Sequence, residues 1–242
     1  MSYVFLSSIA VAVAAPLFWI GVTGEFAALA PLSLNALVVH ASAVIFVTSR
    51  IVDGDRSLWI AAALGLVQAL VALLLLRWSR RIPTRDSRPT PGVVRAAFVV
   101  FTVLLLVVGT LLVLQRPRIF PWNLAPETST IFGLLFLGAS TFFAYGVAWP
   151  RWAFAAGQLW GFLAYDVVLL IPYGRILTSG PGAFDAYGGS ADAVNTPSLV
   201  VYLCVLLASA ALAIYMFAFD RRTRVSWRNQ QTVIDQRDAR SR

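Results

Sequence analysis

Apolar runs of about 20 residues alternate with short polar connections along most of the chain. A run of this length lets an α-helix cross the hydrocarbon core of a bilayer, which is about 30 Å thick, at a rise of about 1.5 Å per residue. The pattern therefore predicts an all-α bundle of transmembrane helices. Seven runs meet or approach this length, and the expected spans are 3–22, 26–49, 58–77, 95–115, 129–149, 152–173 and 199–219.

The junction between the first two runs leaves two topologies open, because only Thr23, Gly24 and Glu25 separate them. The two runs form either a tight hairpin of two helices or one long bent segment with Pro31 at the kink. Seven spans are the prediction, and six spans are the alternative. Residues 1–219 are expected to form one bundle, followed by a basic and mobile tail at 220–242.

The composition agrees with a bilayer as the solvent of this chain. Hydrophobic residues make up 59% of the sequence and charged residues 12%, with a mean hydropathy of +0.78. Such a chain has too little polar surface to cover a water-soluble fold of this size. The net charge of +8 does not indicate a nucleic acid partner, because the arginines flank apolar runs instead of forming a basic folded face. The expected partners are lipid and, in addition, other membrane subunits.

The arginines, which account for all 19 basic residues, predict the orientation. Fourteen fall in connections on one side and five on the other, and the richer side is expected to face the cytoplasm. This distribution predicts an outer N-terminus and a cytoplasmic C-terminus in a multi-pass protein of the bacterial inner membrane. The richer set is Arg77, Arg80, Arg81, Arg85, Arg88, Arg95, Arg151, Arg221, Arg222, Arg224, Arg228, Arg237, Arg240 and Arg242, and the poorer set is Arg50, Arg56, Arg116, Arg118 and Arg175.

Four polar residues inside the predicted spans form a candidate intramembrane site. Asp166 is expected about 10 Å below the outer end of the sixth span, where an acid is costly and often marks an ion, proton or substrate path. His40 is the only histidine of the chain and could transfer protons in a pair with Asp166. Gln68 and Gln158 could line the same path. The alternative for each residue is a hydrogen bond between helices that only holds the bundle together.

Residue counts argue against several kinds of cofactor. The chain has no lysine for a Schiff base and one histidine, which excludes bis-histidine haem ligation within the chain and disfavours a catalytic zinc site. Cys204, the only cysteine, lies in an apolar run and is expected to be a small buried residue. No nucleophile is paired with a base. We therefore predict no cofactor, no metal and no catalytic residue.

One outer segment resembles a sequence found in other membrane proteins. Pro126 suits the first turn of a helix, and Glu127 complements the positive end of the helix dipole. The surrounding stretch is similar to uncharacterised bacterial multi-pass proteins with a Phe-Pro-Trp-x-Leu-x-Pro-x-Thr segment before a glycine-containing transmembrane helix. The resemblance covers residues 120–133, implies no activity, and is carried by Phe120, Pro121, Trp122, Leu124, Pro126, Thr128 and Gly133.

Two functional hypotheses follow from these observations. The first is a membrane protein without a recognisable activity, serving as an accessory, scaffold or lipid-embedded subunit. The second is a small proton-coupled transporter that uses Asp166, with the glycine-rich connection at 174–198 as its gate. That connection could equally be a disordered linker. A membrane enzyme is the third and least favoured class.

Overall fold

The computed structural model describes residues 2–180, 194–220 and 223. Seven α-helices run through this part of the chain, and each is long and apolar enough to cross a membrane. The prediction of an all-α bundle with seven potential spans is confirmed for these residues. The helices are α1 Ser2–Thr23, α2 Leu29–Val52, α3 Trp59–Ser79, α4 Gly92–Val113, α5 Pro126–Ala148, α6 Trp152–Ser179 and α7 Thr196–Ile214, and α7 continues as the π-helical stretch Tyr215–Phe219.

The junction before α2 separates two distinct helices. Gly24 takes a left-handed conformation with φ of +67°, which an L-residue rarely adopts, and a 3₁₀ turn at Phe26–Ala28 follows. Pro31 lies in the first turn of α2, where its missing N–H breaks no helical hydrogen bond. Helix α1 packs mainly against α6, whereas α2 packs against α3 and α5. The six-span alternative is therefore wrong, and α1 and α2 do not form a closely packed hairpin.

Glycine brings three pairs of helices close together. A Cβ atom built on Gly133 of α5 would lie 2.7 Å from the carbonyl oxygen of Gly109 in α4. A Cβ on Gly161 of α6 would lie 2.9 Å from the oxygen of Ala12 in α1, and one on Gly138 would collide with α2. Small residues that permit close backbone approach are the usual means of packing helices in a bilayer. Gly133 and Gly138 therefore have a packing role in the bundle.

Large aromatic side chains join two groups of helices, one made of α1, α6 and α7 and the other of α2 to α5. The rings of Phe143 and Phe162 stack with centroids 4.2 Å apart, and Phe101 lies edge-on to Phe162 at 4.5 Å. Farther along the bundle, Phe5 contacts Phe132 at 4.6 Å. We call these five residues the aromatic seam. Side-chain rings therefore form much of the contact between the two groups. The helices whose backbones lie closest together belong to the same group.

Three connections meet at one end of the bundle, which we call the Glu25 end. They are residues 24–25, 80–91 and 149–151. The backbone N–H of Trp152 donates to the Arg88 oxygen at 2.8 Å, and that of Thr90 donates to the Pro150 oxygen at 3.0 Å. These hydrogen bonds place the arginine-rich connection beside the start of α6. The distribution of arginines predicted the same side of the membrane for both segments.

The opposite end, which we call the Trp122 end, carries the segment 114–125. Phe120 and Trp122 are 3% and 6% exposed and fill the space between the ends of the helices. The backbone N–H of Asn195 donates to the Pro121 oxygen at 2.8 Å, which fixes this segment to the start of α7. Helix α5 begins at Pro126, as predicted.

Two predicted segments fall partly beyond the described residues. The connection expected from Gly174 is helical as far as Ser179, so that predicted boundary is wrong. Residues 181–193, with the proposed gate, and most of the tail at 220–242 lie outside the described part of the chain.

Candidate intramembrane polar site

Asp166 lies near the middle of α6. It follows Trp152 by 14 residues and precedes Ser179 by 13, so that each helix end is about 20 Å away along the axis. The outer end of α6 lies farther from Asp166 than the predicted distance of about 10 Å, because α6 continues past the expected end at residue 173. The side chain is fully buried, with 0% exposure. An acid at this depth needs partners within the protein, because lipid offers none.

The partner of Asp166 is Ser209 on α7. The Ser209 hydroxyl oxygen lies 2.7 Å from Oδ2 of Asp166, 2.9 Å from the oxygen of Val205 and 3.0 Å from that of Leu206. A serine hydroxyl has one proton, so it can donate to one of these three acceptors at a time. If the carboxyl carries a proton, Asp166 can donate to Ser209 while Ser209 donates to its own helix. Oδ1 of Asp166 is buried and has no hydrogen-bond partner among the described residues.

A row of tyrosines extends from this pair toward the Trp122 end. Tyr173 follows Asp166 by seven residues and Tyr202 precedes Ser209 by seven, which places each on the same helix face as its counterpart. The hydroxyls of Tyr165 and Tyr202 are hydrogen-bonded, and the rings of Tyr173 and Tyr202 lie 5.5 Å apart. The Tyr173 hydroxyl is buried without a hydrogen-bond partner among the described residues.

The ring of Tyr173 in turn lies 6.1 Å from that of Trp122. Polar groups therefore follow one another from the middle of the α6–α7 interface to the bundle end. Sequence reasoning did not select Ser209, Tyr173 or Tyr202 for this site. The available signal was the spacing of seven residues between Asp166 and Tyr173 in one span and between Tyr202 and Ser209 in the next.

Gln158 belongs to a different interface. It is fully buried, its Nε2 donates to the Phe142 oxygen of α5, and Oε1 is buried without a partner in the described structure. Gly146 provides the necessary space, because a Cβ there would collide with Oε1. Gln158 precedes Asp166 by eight residues, or about 12 Å along α6. It links α6 to α5, whereas Asp166 links α6 to α7.

His40 and Gln68 lie on α2 and α3. The Nδ1 atom of His40 is 2.7 Å from the oxygen of Ala36, and because a carbonyl can only accept, Nδ1 carries the proton. The Gln68 side chain is exposed and makes no hydrogen bond within the described residues. His40 contacts neither Asp166 nor Gln68 through a hydrogen bond or ion pair in this part of the chain. The four predicted residues thus occupy separate positions in the bundle.

Two cavities of the described structure lie away from these residues. One, of about 240 Å³, opens at the Trp122 end beside Gln115, Arg118 and Ser129. The other, of about 210 Å³, is an apolar groove between α4 and α5 that includes Thr102 and Val147. Neither cavity is lined by Asp166, His40, Gln68 or Gln158.

A buried acid that the sequence did not single out organises the Glu25 end. Glu25 is 3% exposed, and its carboxylate accepts the backbone N–H of Arg85 at 3.1 and 3.0 Å and that of Asp86 at 3.0 Å. The Arg85 guanidinium returns to donate to the Thr23 oxygen at 3.0 Å. Nearby, a hydrogen bond from Arg88 to the Asp86 carboxylate raises the pKa of Arg88, although partial burial opposes this shift. Glu25 therefore anchors the arginine-rich connection.

The described residues contain no group of three or more His, Cys, Asp or Glu side chains arranged to hold a metal ion. Cys204 is exposed on the outer face of α7, so the expectation that it is buried is wrong. Comparisons with protein-family models, with curated proteins and with solved structures give no significant match. The seven apolar helices in the described part of the chain are those of a multi-pass membrane protein.

Proposed function

We propose that this protein is an accessory or scaffold subunit of the membrane, in which the intramembrane polar residues hold helices together. The observation that carries the proposal is the burial of Asp166 against Ser209, away from the cavity at the Trp122 end and from the groove between α4 and α5. Gln158 supports it, because this residue also joins two helices and is fully buried. Hydrogen bonds of this kind between membrane helices contribute about 0.6 to 2 kcal/mol each.

The proposal includes an orientation and a location. The Glu25 end faces the cytoplasm, because arginines of the connections at 80–91 and 149–151 lie there and positive residues are retained on that side. The membrane is the bacterial inner membrane, with the C-terminus in the cytoplasm. The charge distribution along the sequence supports this orientation.

A second candidate function is proton-coupled transport through Asp166. The row formed by Tyr165, Tyr202 and Tyr173 favours it, since these polar groups reach from the membrane interior to the Trp122 end. The unpartnered Oδ1 of Asp166 is a second favourable feature. In a transporter, movement of α6 against α7 would have to expose the carboxyl to water.

Reconstituted vesicles separate the two functions. We expect protein-containing vesicles under an imposed pH gradient and potassium diffusion potential to conduct protons no faster than protein-free vesicles. Asp166→Asn, with Asp53→Asn as a control in an exposed connection, should leave this rate unchanged. Proton flux in the wild type that Asp166→Asn abolishes and Asp53→Asn preserves would establish transport instead.

Carbodiimide labelling gives a readout that needs no transported substrate. Dicyclohexylcarbodiimide enters membranes and modifies protonated carboxyl groups that it can reach. We expect slow modification of Asp166 in the folded protein and rapid modification after unfolding, because the side chain is fully buried. Rapid labelling of Asp166 in intact vesicles, measured by peptide mass spectrometry, would contradict a permanently packed role.

A further inference from the structure

Helix α3 is the least enclosed of the seven described spans, because only 17% of the residues in its apolar 18-residue stretch are buried. It packs mainly against α2, and the residues on that side include Ala69 and Ala72, which are 7% and 4% exposed. Gln68 lies about 100° around the helix from Ala69 and is exposed. It follows Trp59 by nine residues and precedes Ser79 by 11, which places its amide near mid-membrane.

The residues around Gln68 form a continuous outward-facing stripe. Their spacing alternates between three and four residues, as in the contact positions of helices that pack side by side. Every member is exposed, with Leu64 at 59% and Val71 at 49%. We call this set the Gln68 stripe, and its members are Ala61, Leu64, Gln68, Val71, Leu75 and Trp78.

An amide on such a surface is unfavourable if lipid alone covers it. Acyl chains neither donate nor accept hydrogen bonds, and an unpaired polar group in hydrocarbon costs several kcal/mol by water-to-alkane transfer. A second protein helix with a polar group at the same depth would remove this cost. The occupant must therefore supply both a donor and an acceptor near mid-membrane.

We propose that two copies of this chain associate side by side through the Gln68 stripe, with the two Gln68 amides hydrogen-bonded to each other. A primary amide both donates and accepts, so it is complementary to itself across a two-fold axis. Copies inserted in the same orientation place Gln68 at the same depth. A single polar residue within an apolar contact stripe also sets the register of paired helices. The inference uses only the α3 surface and holds for an accessory subunit and for a transporter.

Cysteine cross-linking in vesicles tests the geometry. In a Cys204→Ser background, Leu64→Cys lies on the stripe, and Leu66→Cys serves as a matched control because Leu66 is 52% exposed and lies about 160° around α3 from Leu64. In a symmetric pair, the residue at 64 faces its copy. We expect mild oxidation to yield a disulfide-linked dimer for Leu64→Cys and at least about fivefold less for Leu66→Cys. Equal yields at the two positions, or none at either, would overturn the proposal.

Substitution of the amide tests the chemistry. Single-molecule photobleaching at a fixed lipid-to-protein ratio should show dimers for the wild type. We expect Gln68→Leu to weaken dimerisation by about threefold to thirtyfold, because it removes the hydrogen bonds between helices but leaves the apolar contacts. Gln68→Asn keeps an amide and should retain more of the association. A monomeric wild type, or a Gln68→Leu variant that dimerises like the wild type, would refute the inference irrespective of the result at Asp166.

Discussion

Replacement of Glu25 should release the arginine-rich connection from the body of the protein. Glu25→Ala leaves the backbone N–H groups of Arg85 and Asp86 without their carboxylate acceptor in a site that is 3% exposed. A hydrogen bond to a charged group contributes about 1.5 to 3 kcal/mol. Two donors at the lower value amount to about 3 kcal/mol, which corresponds to a change of about a hundredfold in a local opening equilibrium.

Limited trypsin digestion measures this opening, because the chain can be cut after Arg81 and Arg85 within the connection, whereas the Arg88–Pro89 bond resists trypsin. We expect the cleavage rate at 80–91 to rise by about a hundredfold in Glu25→Ala if opening is fast relative to cleavage. Glu127→Ala is the matched control, because Glu127 is an exposed partner of Arg50 at 3.8 Å and such pairs contribute about 0 to 1 kcal/mol. If the two variants are cut at the same rate as each other, Glu25 does not anchor the connection.

Two further predictions concern helix packing. Gly133→Ala should lower the free energy of unfolding by about 1 to 3 kcal/mol in detergent titrations, because the new Cβ meets the α4 backbone. Gly174→Ala should not lower it, because the new Cβ meets open space and alanine favours the helix. An equal loss in both variants would contradict close α4–α5 contact. Gly146→Ala should be destabilising by a similar amount, and part of that loss should disappear in a Gln158→Ala background because the Oε1 contact is gone. Strict additivity of these two substitutions would show that the two side chains do not compete for space.

The sequence predicts the spans well because each requires a long apolar run, which is visible without knowledge of neighbouring helices. The partners of polar residues are less accessible. Ser209 contacts Asp166 only because α6 and α7 are adjacent and suitably rotated, and a hydropathy pattern contains neither piece of information. Glu25 was assigned only to a connection, since nothing local indicates that Arg85 and Asp86 return to it. Local composition thus defines the helices, and their mutual arrangement decides the contacts.

The pairing of α1 with α6 has a consequence for biosynthesis. The first residues of these helices lie 150 positions apart along the chain, so α1 enters the membrane well before its main partner is made. At ordinary rates of synthesis, about 5 to 20 residues per second, this interval lasts roughly 8 to 30 s. During that time α1 lacks the helix that covers most of its packed surface, and its lack of charged residues and mean hydropathy of 2.1 suit it to a lipid-facing position. Helix α6, at 1.6 the least hydrophobic span described, arrives when α1 and α5 are already present to receive it.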